Sequence, residues 1–137
     1  MYPEAFREPF ENREKKGLSD AVGLTQFGVN HVKLEPGAYS SLRHWHHNED
    51  EFVYILKGEV TVIDDSGERI ALPGTCIGFK AGSPNAHHLA NRSAEDVEFL
   101  EVGNRYREEE AEYADVDLHA KKIDSQFHFT HKDGTPY

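Results

Sequence analysis

The chain has 137 residues, 25 acidic against 15 basic, and a net charge of −10 with neutral histidines; this opposes approach to a polyanion, so no nucleic-acid partner is expected. The length suits one domain, 1–137, able to bury a core without staples. No stretch approaches the roughly 18 apolar residues of a membrane span and the opening Met-Tyr-Pro-Glu-Ala-Phe has no apolar signal core, so a cytoplasmic protein without a membrane partner is expected. The single cysteine, Cys76, excludes an internal disulfide and fits a reducing compartment; its apolar strand context predicts a buried thiol.

Residues 1–17 are polar, with Pro3, Pro9 and the cluster Arg13-Glu-Lys-Lys16, and read as a solvated arm. Leu24 to Leu34 is rich in strand formers, with Gly28 marking a bulge and His31 standing alone as a surface or core histidine. Glu35-Pro-Gly37 is a turn, and Tyr39 to His46 follows as a strand with Ser40, Leu42, His44 and His46 on one face and Arg43 on the other. His47-Asn48-Glu49-Asp50 reads as a solvated turn. In Glu51 to Lys57, Val53 and Ile55 lie with Glu51, while Phe52, Tyr54 and Leu56 point the opposite way; a strand apolar on both faces needs cover on both, and a homodimer is the expected source of the second cover.

Val60 to Asp64, the tight hairpin Asp65-Ser-Gly67 and Glu68 to Leu72 come next, then Thr75 to Lys80, a loop over 81–86, His87 to Asn91 and Asp96 to Val102. The segment from Asn104 to Tyr137 differs in kind: Arg105 to Glu112 predicts one or two helical turns, and Phe127 to Thr130 an edge strand that packs the tail back on the body. About eight short strands joined by Gly, Pro and Asx turns predict an all-β sandwich or barrel with Val53, Ile55, Val60, Val62, Leu72, Ile77, Leu89 and Leu100 in its core.

The chemistry concentrates between Gly37 and Gly58. His44 and His46 are two apart, so on a strand both imidazoles leave one face and converge, which is metal-ligand spacing. Glu51 opens the neighbouring strand and can face them. His87 shares a face with Leu89 and Asn91 and is the fourth candidate, with His88 as its rival. A histidine-rich stretch in a polar loop is more often solvated than functional; four groups on segments that independently read as strands argue for a bound metal.

His44-x-His46-x4-Glu51-x6-Gly58 resembles the first motif of the cupins, although six residues separate Gly37 from His44 where the motif has five. Gly74, Gly82, His87 and Asn91 align with the second motif, with Lys80 at its proline position and two extra residues between Gly82 and His87. Leu18 to Val29, Asn91-Arg92-Ser93 and the closing Lys132 to Tyr137 are similar to small bacterial single-domain cupins, whose labels are borrowed from sugar-phosphate isomerases. The resemblance implies a double-stranded jelly roll with barrel core at about 22–103, an arm and a tail (104–137) packed on it, and His44, His46, Glu51 and His87 on one divalent metal: Fe, Mn, Ni, Zn or Cu. It also implies a small-molecule ligand, with Lys80 and Asn91 as pocket groups. Three classes of function are compatible with such a site: a non-redox isomerase, lyase or epimerase; an iron-dependent dioxygenase; and a non-catalytic binder of small molecules. Only Lys80, Arg92 and Arg105 are expected to bring positive charge to the mouth.

Overall fold

The computed structural model describes residues 2–7 and 10–137; Pro9 of the expected arm lies outside them. The strands are β1 (Arg13–Gly17), β2 (Phe27–Leu34), β3 (His44–His46), β4 (Glu51–Lys57), β5 (Val60–Asp64), β6 (Gly67–Ala71), β7 (Cys76–Phe79), β8 (His88–Ala90), β9 (Val97–Asn104), β10 (Glu109–Tyr113), β11 (His119–Ile123) and β12 (Gln126–Thr130), with a 3-10 turn at Glu4–Phe6 and a short α-helix, α1 (Leu18–Ala21), after β1. They form antiparallel sheets in the orders β1-β2-β9-β4-β7, β12-β11-β10-β3 and β6-β5-β8. Isolated bridges His44↔His87 and Tyr39↔Ala90 bring the last two together as one layer. The result is an all-β jelly roll of two layers whose sheets are not closed by hydrogen bonds. No helix of the described residues is long and apolar enough to cross a membrane.

Alternation places the core. Val53 and Ile55 of β4, Val60 and Val62 of β5, Val97 and Phe99 of β9, and Val32 and Leu34 of β2 are all buried between the layers. A smaller cluster, Ala111, Tyr113, Leu118 and Ala120, gathers Tyr2, Phe6, Leu42 and Phe129 around it and so ties the first residues to the tail. Leu72 is 51% exposed and Leu100 half-buried, so neither belongs to the expected core. Pairing explains both: Leu72 lies beyond the end of β6, and Leu100 faces outward between the inward Phe99 and Glu101.

Several expectations are corrected. Arg13–Gly17 is not a solvated arm: it pairs with β2 from Arg13↔Leu34 to Gly17↔Asn30, with Arg13 and Lys15 facing inward. Gly28 marks no bulge, because β2 and β9 stay in register from Phe27↔Asn104 to Leu34↔Val97. A Cβ there would sit 2.9 Å from Arg105 Nε, so glycine leaves room for that guanidinium. The Tyr39–His46 strand shortens to His44–His46. Arg105–Glu112 forms no helix; Glu109, Ala111 and Tyr113 are buried and Glu110 and Glu112 are not, the period of a strand. Cys76 is exposed, on the outer face opposite Tyr54. The edge strand expected at Phe127–Thr130 is present as β12.

Candidate metal centre

Glu51 is the first residue of β4, held by pairing with Phe79 on one side and Gly103 on the other. Facing it, His44 and His46 leave the same face of β3, and the His44↔His87 bridge brings His87 alongside. Three imidazoles therefore converge on one carboxylate. Nε2 of His44 is 3.3 Å and Nε2 of His46 3.0 Å from Glu51 Oε1, and Nε2 of His87 meets Oε2. Donor atoms of His44, His46 and Glu51 all lie within 4.8 Å of one another. The Nδ1–H of His44 donates to Leu42 O at 2.8 Å and that of His87 to Asn85 O at 2.9 Å, which orients both rings with Nε2 facing Glu51. The ring of His87 lies flat on Phe79, 3.5 Å between centroids.

Burial works against a charge on His44, but the hydrogen bond and negative charge of Glu51 outweigh it and raise its pKa. Burial likewise opposes ionisation of Glu51, yet hydrogen bonds from His44, His46 and His87 hold its carboxyl well below the usual range. Nδ1 of His46 is buried without a hydrogen-bond partner. A carboxylate kept ionised and ringed by the Nε2 atoms of three imidazoles fits a divalent first-row cation.

The other candidates fall differently. His88 points away: its Nδ1–H donates to Ser41 O at 2.8 Å, its ring lies 5.0 Å from that of Tyr39, and burial lowers its pKa. Asn91 is not a pocket group. It is fully buried, its amide donates to Leu34 O and Glu95 O, and its carbonyl accepts from Ser93, so it fixes the turn after β8. Lys80 is exposed at a secondary opening shared with Trp45, His46 and Glu51. Arg92 pairs with Glu68, and Arg43 with Asp65 and Asp115, away from the centre. His31 pairs with Glu98 at 3.0 Å. Asp50 is exposed, as expected of the turn, but Glu49 is buried, bonded to Lys122 Nζ at 2.6 Å and to the Tyr106 amide at 2.8 Å.

The centre opens into a cavity of about 410 Å³, within the usual range for small-molecule sites. Its wall holds more cations than the sequence suggested: Arg13 and Lys15 from β1, Lys122 from β11, and Arg105 after β9. Lys15 pairs with Glu101 at 2.7 Å, and Arg105 with Asp20 at 2.6 Å. Tyr2, Tyr113, Phe127 and Phe129 supply the aromatic part, and burial raises the pKa of both tyrosines. The signals were the alternations Arg13-x-Lys15 and Glu109-x-Ala111-x-Tyr113, masked by the surrounding charges.

The jelly roll and its histidine-carboxylate cluster define a β-barrel protein with a candidate metal site. The model of the cupin domain matches residues 30–103, more than half of the chain, and the chain belongs to that family. A crystal structure of a sugar phosphate isomerase of the cupin superfamily from Silicibacter pomeroyi is 47% identical over 100% of this chain and 87% of that one, with a TM-score of 0.96. A protein from Acidithiobacillus ferrooxidans provisionally named a sugar phosphate isomerase is 28% identical over 91% and 80% of the two chains, at 0.83. A predicted oxalate decarboxylase from Thermotoga maritima is 28% identical over 69% and 81%, at 0.59. No curated protein matches the chain.

Proposed function

We propose that the chain binds one divalent first-row metal through His44, His46, Glu51 and His87 and acts on a small anionic organic molecule in a reaction of the isomerase, lyase or epimerase type. The observation that carries this reading is the convergence of three imidazoles on the Glu51 carboxylate at the wall of the cavity. A divalent ion held there supplies a Lewis acid that polarises a carbonyl or hydroxyl oxygen.

The rest falls to the chain's own residues. The cavity wall carries four cations, Arg13, Lys15, Arg105 and Lys122, against four carboxylates, Glu49, Asp50, Glu51 and Glu101. The balance is even without a metal and positive with one, which favours an anionic ligand. Glu101, beside Lys15 on the wall, is placed to take a proton from the ligand and return it. Tyr2, kept protonated by burial, offers a hydrogen-bond donor at the same wall. Both isomerase-named neighbours span nearly the whole chain, which supports this reaction class.

The test is metal analysis of protein purified without added metal, followed by incubation with sugar phosphates and hydroxy acids in D2O. Solvent deuterium appearing at a carbon next to a carbonyl, lost in Glu101→Gln while the metal stays bound, is expected. Iron in the protein with oxygen uptake on substrate would replace this reading by a dioxygenase. Tight binding of an anion with no turnover would leave a non-catalytic binding protein.

A further inference from the structure

On the outer face of the tail sheet, turned away from the cavity, a second set of donors comes together. Glu112 of β10 is paired with His119 of β11 and with Trp45 of β3, and Glu110 lies two residues along the same face. His47 follows β3 directly; its backbone N–H donates to Glu110 O at 3.0 Å, and its ring stacks on Trp45 at 4.6 Å. Period two and the cross-strand register thus deliver two imidazoles and two carboxylates to one spot.

The spacing of three of them approaches that of a coordination shell, with the fourth beside it. His47 Nε2 is 3.1 Å from Glu112 Oε1; His119 Nε2 is 3.6 Å from the same oxygen and 3.4 Å from Glu110 Oε2. Donor atoms of His47, Glu110 and Glu112 all lie within 4.8 Å of one another. Around a tetrahedral zinc ion with bonds of roughly 2.0–2.1 Å, neighbouring donors stand about 3.3–3.4 Å apart; His47, Glu110 and Glu112 already form a close group, and His119, outside that group of three, completes the shell by a side-chain rotation. Two carboxylates would neutralise the ion, and Lys121 approaches only the other oxygen of Glu110, at 3.8 Å. The four side chains are 23–38% exposed, so the ion has a path from solvent.

We propose that His47, Glu110, Glu112 and His119 form a second divalent-cation site of the zinc type, separate from the central one and linked to it only through the neighbouring residues His46 and His47. It would clamp β3 to β10 and β11 from outside, on the opposite face from His44 and His46.

The full chain, stripped with chelator and titrated with zinc chloride, is followed by calorimetry and by metal content after dialysis. Two zinc equivalents are expected in the native chain and one in His119→Ala and in Glu112→Gln, with the melting curve of each stripped variant matching that of the stripped native chain. Glu51→Gln should lose the other equivalent and keep this one, so a failure of the central site is seen separately. Trp45, the only tryptophan, should change its emission on zinc addition to Glu51→Gln and stay silent in the double variant with His119→Ala. A single equivalent that survives His119→Ala, or two equivalents in every surface variant, would overturn the proposal and leave an ion-pair cluster.

Discussion

Phe79 lies parallel to the ring of His87, 3.5 Å between centroids and 2° between planes, and is also the cross-strand partner of Glu51. One aromatic side chain therefore braces both halves of the ligand set, coupling the end of β7 to the loop that delivers His87. Phe79→Leu keeps an apolar group in the core but removes the stack. It should cost about 1 kcal/mol of stability, typical of an aromatic pair. Metal affinity should fall by roughly 10–100-fold, as for other residues that orient a ligand. Calorimetric titration of the variant checks this; native affinity with only reduced stability would reduce Phe79 to core packing.

Adjacent histidines give a sharper test. His87→Ala should abolish metal binding at the centre, whereas His88→Ala should retain it, since His88 is held by Ser41 O and Tyr39 on the other face. Metal content read in Glu112→Gln versions of both keeps the surface cluster from contributing. The reverse pattern would shift the register of the second motif by one residue.

Acid stability should depend on Asp64. Its carboxylate is buried and accepts from Ser66 N and Oγ at 2.9 and 2.6 Å and from Arg69 at 2.8 Å. These hydrogen bonds, that of the Ser66 hydroxyl first, outweigh burial and hold its pKa well below the ordinary value. A depressed folded-state pKa means the contribution is complete above the unfolded value, about 3.9, and drains away as pH falls below it. Asp64→Asn should lose about 1–3 kcal/mol at pH 7 and show a shallower decline below pH 4 than the native chain. Urea unfolding at pH 7 and pH 3 measures both; an equal loss at the two values would remove the ionic argument.

The outer face of β4 bears on assembly. Phe52, Tyr54 and Leu56 are 43%, 39% and 43% exposed, and neither β1, at the far edge of that sheet, nor the tail, in the other layer, reaches them. A second copy of the chain is the proposed cover. Light scattering should give twice 15.6 kDa, and Leu56→Lys should halve it. A concentration-independent value near 15.6 kDa for the native chain would remove the dimer.

Strands bounded by clear turn punctuation, β4, β5 and β7 above all, were legible in the sequence, and the structure brings together His44, His46, Glu51 and His87, whose spacing follows the strand period. What escaped reading was set by partners far along the chain. Arg105–Glu112 is dense in good helix formers, and only pairing with His44–His46 and His119–Lys122 makes a strand of its last part. Glu49 looked solvated because nothing local announces Lys122, 73 residues away. The cations of the cavity were hidden likewise: Arg13 and Lys15 sit in a run of charges, and only the edge of β2 decides which of them turn inward.

The buried bond between Glu49 and Lys122 joins a stretch inside the cupin match to one beyond it. The cupin match stops at residue 103, so it spans three donors of β3 and β4 and the fourth before β8, while Tyr113, Lys122, Phe127 and Phe129 come from beyond it. On the proposed reading, the part inside the match holds the ion and the part beyond it shapes what the ion meets. Relatives that share residues 30–103 but carry another tail should then keep the proposed metal site and differ in the ligand they take, which makes the tail, rather than the motif, the place to look when sorting such proteins by what they recognise.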